Sequence, residues 1–199
     1  MRLSRSPRWI RSLQVSRTAL VASAMLAFCR LPAQAQGKEP PVQHPAATAE
    51  QRLKELGINL PAPPEPFGTY VEAVQTGDLL FLTGMLPTEG RAAKYVGRIG
   101  AELDVEAGRK AAHLAALNVL AVARKYLGSL DRVTRVVRLG VSVATSGDVR
   151  DQPKVADAAS ELLQDVFGKD RNPCRSVFGV ASLPLGTPVE LEVIFEVSR

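Results

Sequence analysis

An arginine and a glutamate near the C-terminal end carry the chemistry open to this chain. Cys174-Arg175-Ser176 begins one apolar run, and Glu190 begins the next, with 13 residues between Ser176 and Glu190. An arginine fork suits the two oxygens of a carboxylate. A glutamate close by can position or activate water. Both side chains reach one pocket if the two runs are strands that pair or lie near each other. The same residue types at strand ends also form surface ion pairs worth little, and spacing alone leaves both readings open.

Few other chemistries fit. The two histidines are His44, in a polar lead-in, and His113, in a long helical pattern. The two cysteines are Cys29 and Cys174, so no His/Cys cluster has the spacing of metal ligands. A lone His113 lacks the neighbours of a nucleophile–base site. Gly97-Arg98-Ile99-Gly100 is neither a dinucleotide fingerprint nor a phosphate loop. The expectation is a site without metal or cofactor.

The elements that must position Arg175 and Glu190 follow from periodicity. Tyr70–Gln75 alternates, Thr76-Gly77-Asp78 turns, and LLFLT (79–83) is a continuous apolar run, so 70–83 reads as a β-hairpin. Residues 88–103 hold three glycines and read as loop, with a short strand near Tyr95. Asp104 is a helix N-cap and Gly128 a stop. Between them Ala112, Ala115, Val119, Val122 and Tyr126 form one apolar stripe. Val133–Ala144 is a β-branched strand. A second long helix ends at Phe167, with Val155, Ala159, Leu162 and Val166 as its buried stripe. Ser176–Ala181 and Val189–Val197 are strands, the last strictly alternating. The order β-β-α-β-α-β-β describes an α+β fold whose two long helices cover one face of a mixed sheet. The opposite face, with Glu190, Glu192, Ile194 and Glu196, suits a subunit interface that encloses a polar cleft.

The N-terminal 35 residues have the three parts of an export signal in order. Five arginines lie in the first 17 residues, an apolar stretch runs from Ala19 to Phe28, and Ala33-Gln34-Ala35 is a cleavage site. The apolar stretch is too short to span a bilayer. The expected organisation is a signal peptide at 1–35, a flexible lead-in at 36–50 and one domain at 51–199. The working protein is then periplasmic, with no stable membrane anchor. Cleavage removes six of the 25 basic side chains and none of the 20 acidic ones, leaving 19 against 20, a net charge of −1. The basic character of the whole chain therefore gives no reason to expect a nucleic-acid partner.

The stretch RSVFGVASLPLGTPVELEVIFEV (175–197) resembles the C-terminal signature of the Rid/YjgF family, the reactive-intermediate deaminases, also labelled endoribonuclease L-PSP. Gly68-Thr69-Tyr70, Val74–Gly77 and LLFLTGMLP (79–87) are similar to the family's N-terminal half. The match spans about residues 53–197 and is nearest to a longer branch, through Asp151–Val155 and Leu183–Gly186. The resemblance implies a chorismate-mutase-like fold and a homotrimer with sites between subunits. It implies that Arg175 grips the carboxylate of a 2-imino acid and that Glu190 positions the hydrolytic water. Tyr70 would line the pocket, and Thr83-Gly84 would supply its backbone. Water would attack the C=N carbon and give a 2-keto acid and ammonia, with no cofactor. The chain departs from the family pattern at Met85, where glutamine is usual, and at Val177, where cysteine is common. Asp157 is the nearest counterpart of a pocket asparagine. Two alternatives follow: a trimer that binds a small carboxylate without turning it over, and, from the older label, a ribonuclease. The net charge and the lack of an aromatic-basic stripe argue against the latter.

Overall fold

The computed structural model describes residues 47–199. The export signal expected at 1–35 and most of the lead-in lie outside the described residues.

Helix α1 is Ala49–Glu55, started by a capping box in which the Thr48 hydroxyl accepts from the Gln51 N–H and the Gln51 side chain accepts from the Thr48 N–H. It therefore takes in Ala49 and Glu50, which the sequence places in the lead-in. Ala49 and Leu53 bury against the core, so α1 packs beside the second long helix and adds a short third helix to the two long ones. Strands β1 (Ala73–Thr76) and β2 (Leu79–Leu82) form the expected hairpin, shorter at its start because Tyr70 belongs to the Pro-rich approach. A separate two-residue hairpin, β3 (Thr88–Glu89) with β4 (Ala92–Ala93), lies inside the segment read as loop.

Helix α2 is Val105–Leu127. Asp104 accepts from the Ala107 N–H at 2.7 Å, and Gly128 ends the helix at φ 82°, a left-handed position that costs glycine least. Its buried surface is wider than one stripe, with Ala111, Ala116, Leu120 and Ala123 also inside, whereas Tyr126 is exposed in the last turn. Strand β5 is Val133–Ala144, α3 is Gln152–Phe167, β6 is Cys174–Val180 and β7 is Val189–Val197.

These strands make one mixed sheet in the order β1-β2-β7-β5-β6. Only β5 and β6 are parallel, joined by α3 as the crossover that a parallel pair requires. Helices α2 and α3 pack side by side on one face, where Arg109 donates to Glu161 at 2.8 Å and to the Lys154 carbonyl at 2.8 Å. The core beneath them takes Leu80, Leu139, Val141, Leu191, Val193 and Phe195, all at most 1 % exposed. Phe195 stacks at a tilt on Phe167 of α3, 5.7 Å between ring centres.

Among the described residues nothing covers the face away from the helices. The register places Val74, Phe81, Ile194, Arg138 and Cys174 in one row across it, and Glu190, Ser142 and Phe178 in another. Val74, Phe81 and Phe178 are exposed large apolar side chains. Among the described residues no helix is long and apolar enough to cross a membrane.

Candidate functional site

Tyr70, Thr83 and Gly84 meet around one small cavity of about 20 Å³, which Pro64, Phe67 and Met85 also line. That volume holds about one water. The Pro-rich segment before Tyr70 has no strand pairing, so side chains fix it. The Phe67 N–H donates to the Tyr70 hydroxyl at 3.0 Å. Arg91 donates to the Pro66 carbonyl at 3.1 Å and its guanidinium lies 5.0 Å from the centre of the Phe67 ring. The Thr83 N–H donates to the Glu72 carbonyl at 3.0 Å, carrying the β1–β2 hairpin one step further.

Glu190 stands on the other side of Gly84. Met85 exchanges two backbone hydrogen bonds with Leu191, at 2.8 and 2.9 Å, which draws the end of β2 onto the start of β7. Gly84 is then so near that a Cβ on it would lie 2.8 Å from Cδ of Glu190 and 3.2 Å from Cγ. Only a residue without a side chain lets the carboxylate sit there. Val189 and Leu191 point into the core, so Glu190 points to the uncovered face. Burial holds the Glu190 carboxyl above the usual carboxylate range, and the negative charge of Glu192, two residues along the same face, adds to the rise.

The loop that carries Gly84 and Met85 is anchored from α2 by a residue that sequence reading passes over. Asn118 is fully buried, and its amide donates to the carbonyls of Leu86 and Thr88, both at 2.9 Å. Among the described residues its own carbonyl oxygen has no partner. The signal is present in the sequence as a single amide within an alanine- and valine-rich helix face, at the spacing of Ala115, Asn118 and Val122.

Arg175 lies elsewhere in the chain. Strands β6 and β7 do not pair; they flank β5 on opposite sides. Arg175 is level with Leu139 on β5, and so faces the helices, whereas Glu190 is level with Ser142 and faces away. The Arg175 Nη1 donates to Oδ1 of Asp157 at 2.7 Å and to the Ser160 hydroxyl at 2.9 Å, both on α3. A single subunit thus brings together Tyr70, Thr83, Gly84 and Glu190 and sets Arg175 on the opposite face, at the sheet edge. Cys174 is exposed, and its thiol donates to the Val137 carbonyl at 3.2 Å. His113 is exposed on α2. Among the described residues no three His, Cys, Asp or Glu side chains are grouped closely enough to hold a metal ion.

The family described as YjgF/chorismate mutase-like, a description that also carries an endoribonuclease label, matches residues 50–196. Protein TCP17 of Trypanosoma cruzi is 40% identical over 148 residues, 74% of this chain and 92% of its own length. A 2-iminobutanoate/2-iminopropanoate deaminase of Dermatophagoides farinae is 31% identical over 138 residues, 69% of this chain and 92% of its own. The crystal structure of the protein Atu1372 of Agrobacterium tumefaciens superposes with a TM-score of 0.69 at 35% identity, covering 76% of this chain and 93% of the other. With a mixed sheet backed by helices and a match along nearly all the described residues, the chain belongs to the Rid/YjgF family.

Proposed function

We propose that this protein is a Rid-type deaminase that hydrolyses a carboxylate-bearing imine or enamine to a keto acid and ammonia. One observation carries the reading: the Glu190 carboxylate, held above its usual pKa and seated against Gly84, next to the cavity of Tyr70 and Thr83. The similarity to a 2-iminobutanoate/2-iminopropanoate deaminase supplies the substrate class.

In this mechanism ionised Glu190 accepts a proton from water as the water oxygen bonds to the imine carbon. A carboxylate with a raised pKa is a stronger base for that task. The C=N electron pair goes to nitrogen, which takes a proton. That first proton is the one Glu190 took from water. Glu190 then takes the hydroxyl proton of the resulting carbinolamine as the C=O bond forms and the C–N bond breaks, and passes it to the departing nitrogen, so that ammonia leaves a 2-keto acid. An imine is already electrophilic, so no cofactor enters the scheme. Arg175 holds the substrate carboxylate through its guanidinium fork.

Because Arg175 and Glu190 lie on opposite faces of one sheet, the scheme requires Arg175 from one subunit and Gly84 and Glu190 from another. A homotrimer with three equivalent clefts meets that requirement as a closed ring of head-to-tail contacts. The uncovered face, with Val74, Phe81 and Phe178 exposed, offers the apolar surface for it. No nucleic acid is a partner in this reading. In this reading the export pattern of the first 35 residues directs the protein to the periplasm.

A second reading, a trimer that binds a small carboxylate without chemistry, has one observation in its favour: Met85, at a position where the family pattern has glutamine, brings an apolar side chain to the wall of the cavity. The two separate on a single experiment. Purified protein given an imine generated in situ from alanine by an amino-acid oxidase releases ammonia faster than buffer does, and Arg175→Ala loses the excess. Stabilisation by 2-keto acids that Arg175→Ala abolishes, with no excess ammonia from the wild type, favours binding alone.

A further inference from the structure

The partners of Arg175 leave its guanidinium half engaged. Asp157 and Ser160 stand three residues apart on α3 and both take Nη1. Among the described residues neither Nε nor Nη2 has a hydrogen-bond partner. The Nε–Nη2 edge carries two parallel N–H groups, the arrangement that a carboxylate fork needs. Asp157 therefore fixes the guanidinium and presents its free edge. It also places a full negative charge 2.7 Å from the group that is to hold a ligand's carboxylate. The other cations bound to α3 are already matched, Lys154 to Asp151 at 2.9 Å and Arg109 to Glu161 at 2.8 Å.

We propose that Asp157 is the specificity-determining residue of this site, admitting monocarboxylates and rejecting dicarboxylates. The inference rests on the reading of Arg175 as the carboxylate holder. Arg175 and Asp157 together are neutral. One ligand carboxylate brings the trio to a net charge of −1, with the guanidinium between the two acids. A second carboxylate finds no free cation on α3 and meets the field of Asp157. The pair is part-exposed, at 27% and 44% of the two side chains, so it is screened and weak enough to share its arginine with a ligand.

The test is titration of the full protein with pyruvate and with 2-oxoglutarate, read as a ratio of affinities. The wild type binds pyruvate more tightly, by about ten-fold. Asp157→Asn cuts that ratio by about five-fold or more, chiefly by strengthening 2-oxoglutarate. Asp157→Glu keeps the charge and restores the preference. A ratio is insensitive to the fraction of protein that is folded, so a merely structural role for Asp157 would leave it unmoved. An unchanged ratio in Asp157→Asn, or equal binding of both acids by the wild type, overturns the proposal. Undiminished binding of both acids by Arg175→Ala, or binding of neither by the wild type, overturns the underlying reading of Arg175 as well.

Discussion

The carboxylate of Glu190 rests directly over the α-carbon of Gly84, so close that a single methyl group on Gly84 would stand 2.8 Å from Cδ. The backbone of Gly84 has no positive φ, so alanine is conformationally acceptable there and the conflict is steric alone. Gly84→Ala must push Glu190 off its rotamer, at a cost of about 1 kcal/mol in stability. A displacement on the order of 1 Å in a catalytic group costs about 100-fold in rate. Imine hydrolysis by Gly84→Ala falls by that order while thermal unfolding shifts by only a few degrees. Parallel losses in both would show that Gly84 serves the fold and not the carboxylate.

Burial is the larger cause of the raised Glu190 pKa and the charge of Glu192 the smaller. Activity that needs ionised Glu190 rises with pH along a limb above the ordinary carboxylate range. Glu192→Gln removes the like charge, lowers the Glu190 pKa and moves the limb to lower pH without abolishing it. The linked effect on stability has the opposite sense. The folded chain holds the Glu190 proton to higher pH than the unfolded chain does, so stability falls as pH rises from the ordinary carboxylate value through the raised one. Glu190→Gln, which has no proton to lose, matches the wild type in acid and exceeds it near neutrality. Denaturant unfolding at several pH values reads this directly, and a variant less stable than the wild type at neutral pH would contradict it.

Asn118 has no path to solvent, yet two carbonyls of the loop after Gly84 depend on its amide. Asn118→Leu keeps the volume, takes the amide donor from the Thr88 carbonyl and leaves the Leu86 carbonyl with the Thr88 N–H alone, at 2.9 Å. The expected loss is about 1–3 kcal/mol for the stranded carbonyl, reduced by relief of the amide's own unpaired oxygen. Hydrogen exchange at Met85 and Leu191, whose mutual bonds register the loop on β7, should quicken more than exchange in β5. Uniform quickening throughout the chain would assign Asn118 a general core role instead.

How far these relationships were legible in the sequence depends on the strength of the local signal. Helix α2 and strands β5 and β7 are bounded as Asp104, Gly128 and the alternation of 189–197 predict, because cap and period act within a few residues. The Thr88–Ala93 hairpin escaped because two-residue strands have no period to read. Helix α1 begins early because Thr48 and Gln51 form a capping box that composition hid under the label of a lead-in. The separation of Arg175 from Glu190 was out of reach. Edge strand β6 is half exposed on both faces, so its side chains do not announce which way they point. Only its parallel register with β5 assigns Arg175 to the helix side.

That separation allows a direct test of a site shared between subunits. Arg175→Ala and Glu190→Gln chains, each inactive in imine hydrolysis alone, are co-expressed and purified together by a tag on each. In a closed ring of three, a cleft is intact when one chain supplies Arg175 and its neighbour supplies Glu190. Every ring that carries both tags then has one intact cleft in three, which restores about a third of wild-type activity per cleft. Recovery near that level is expected of a cleft shared between subunits. Mixed assemblies that remain as inactive as either parent would contradict it.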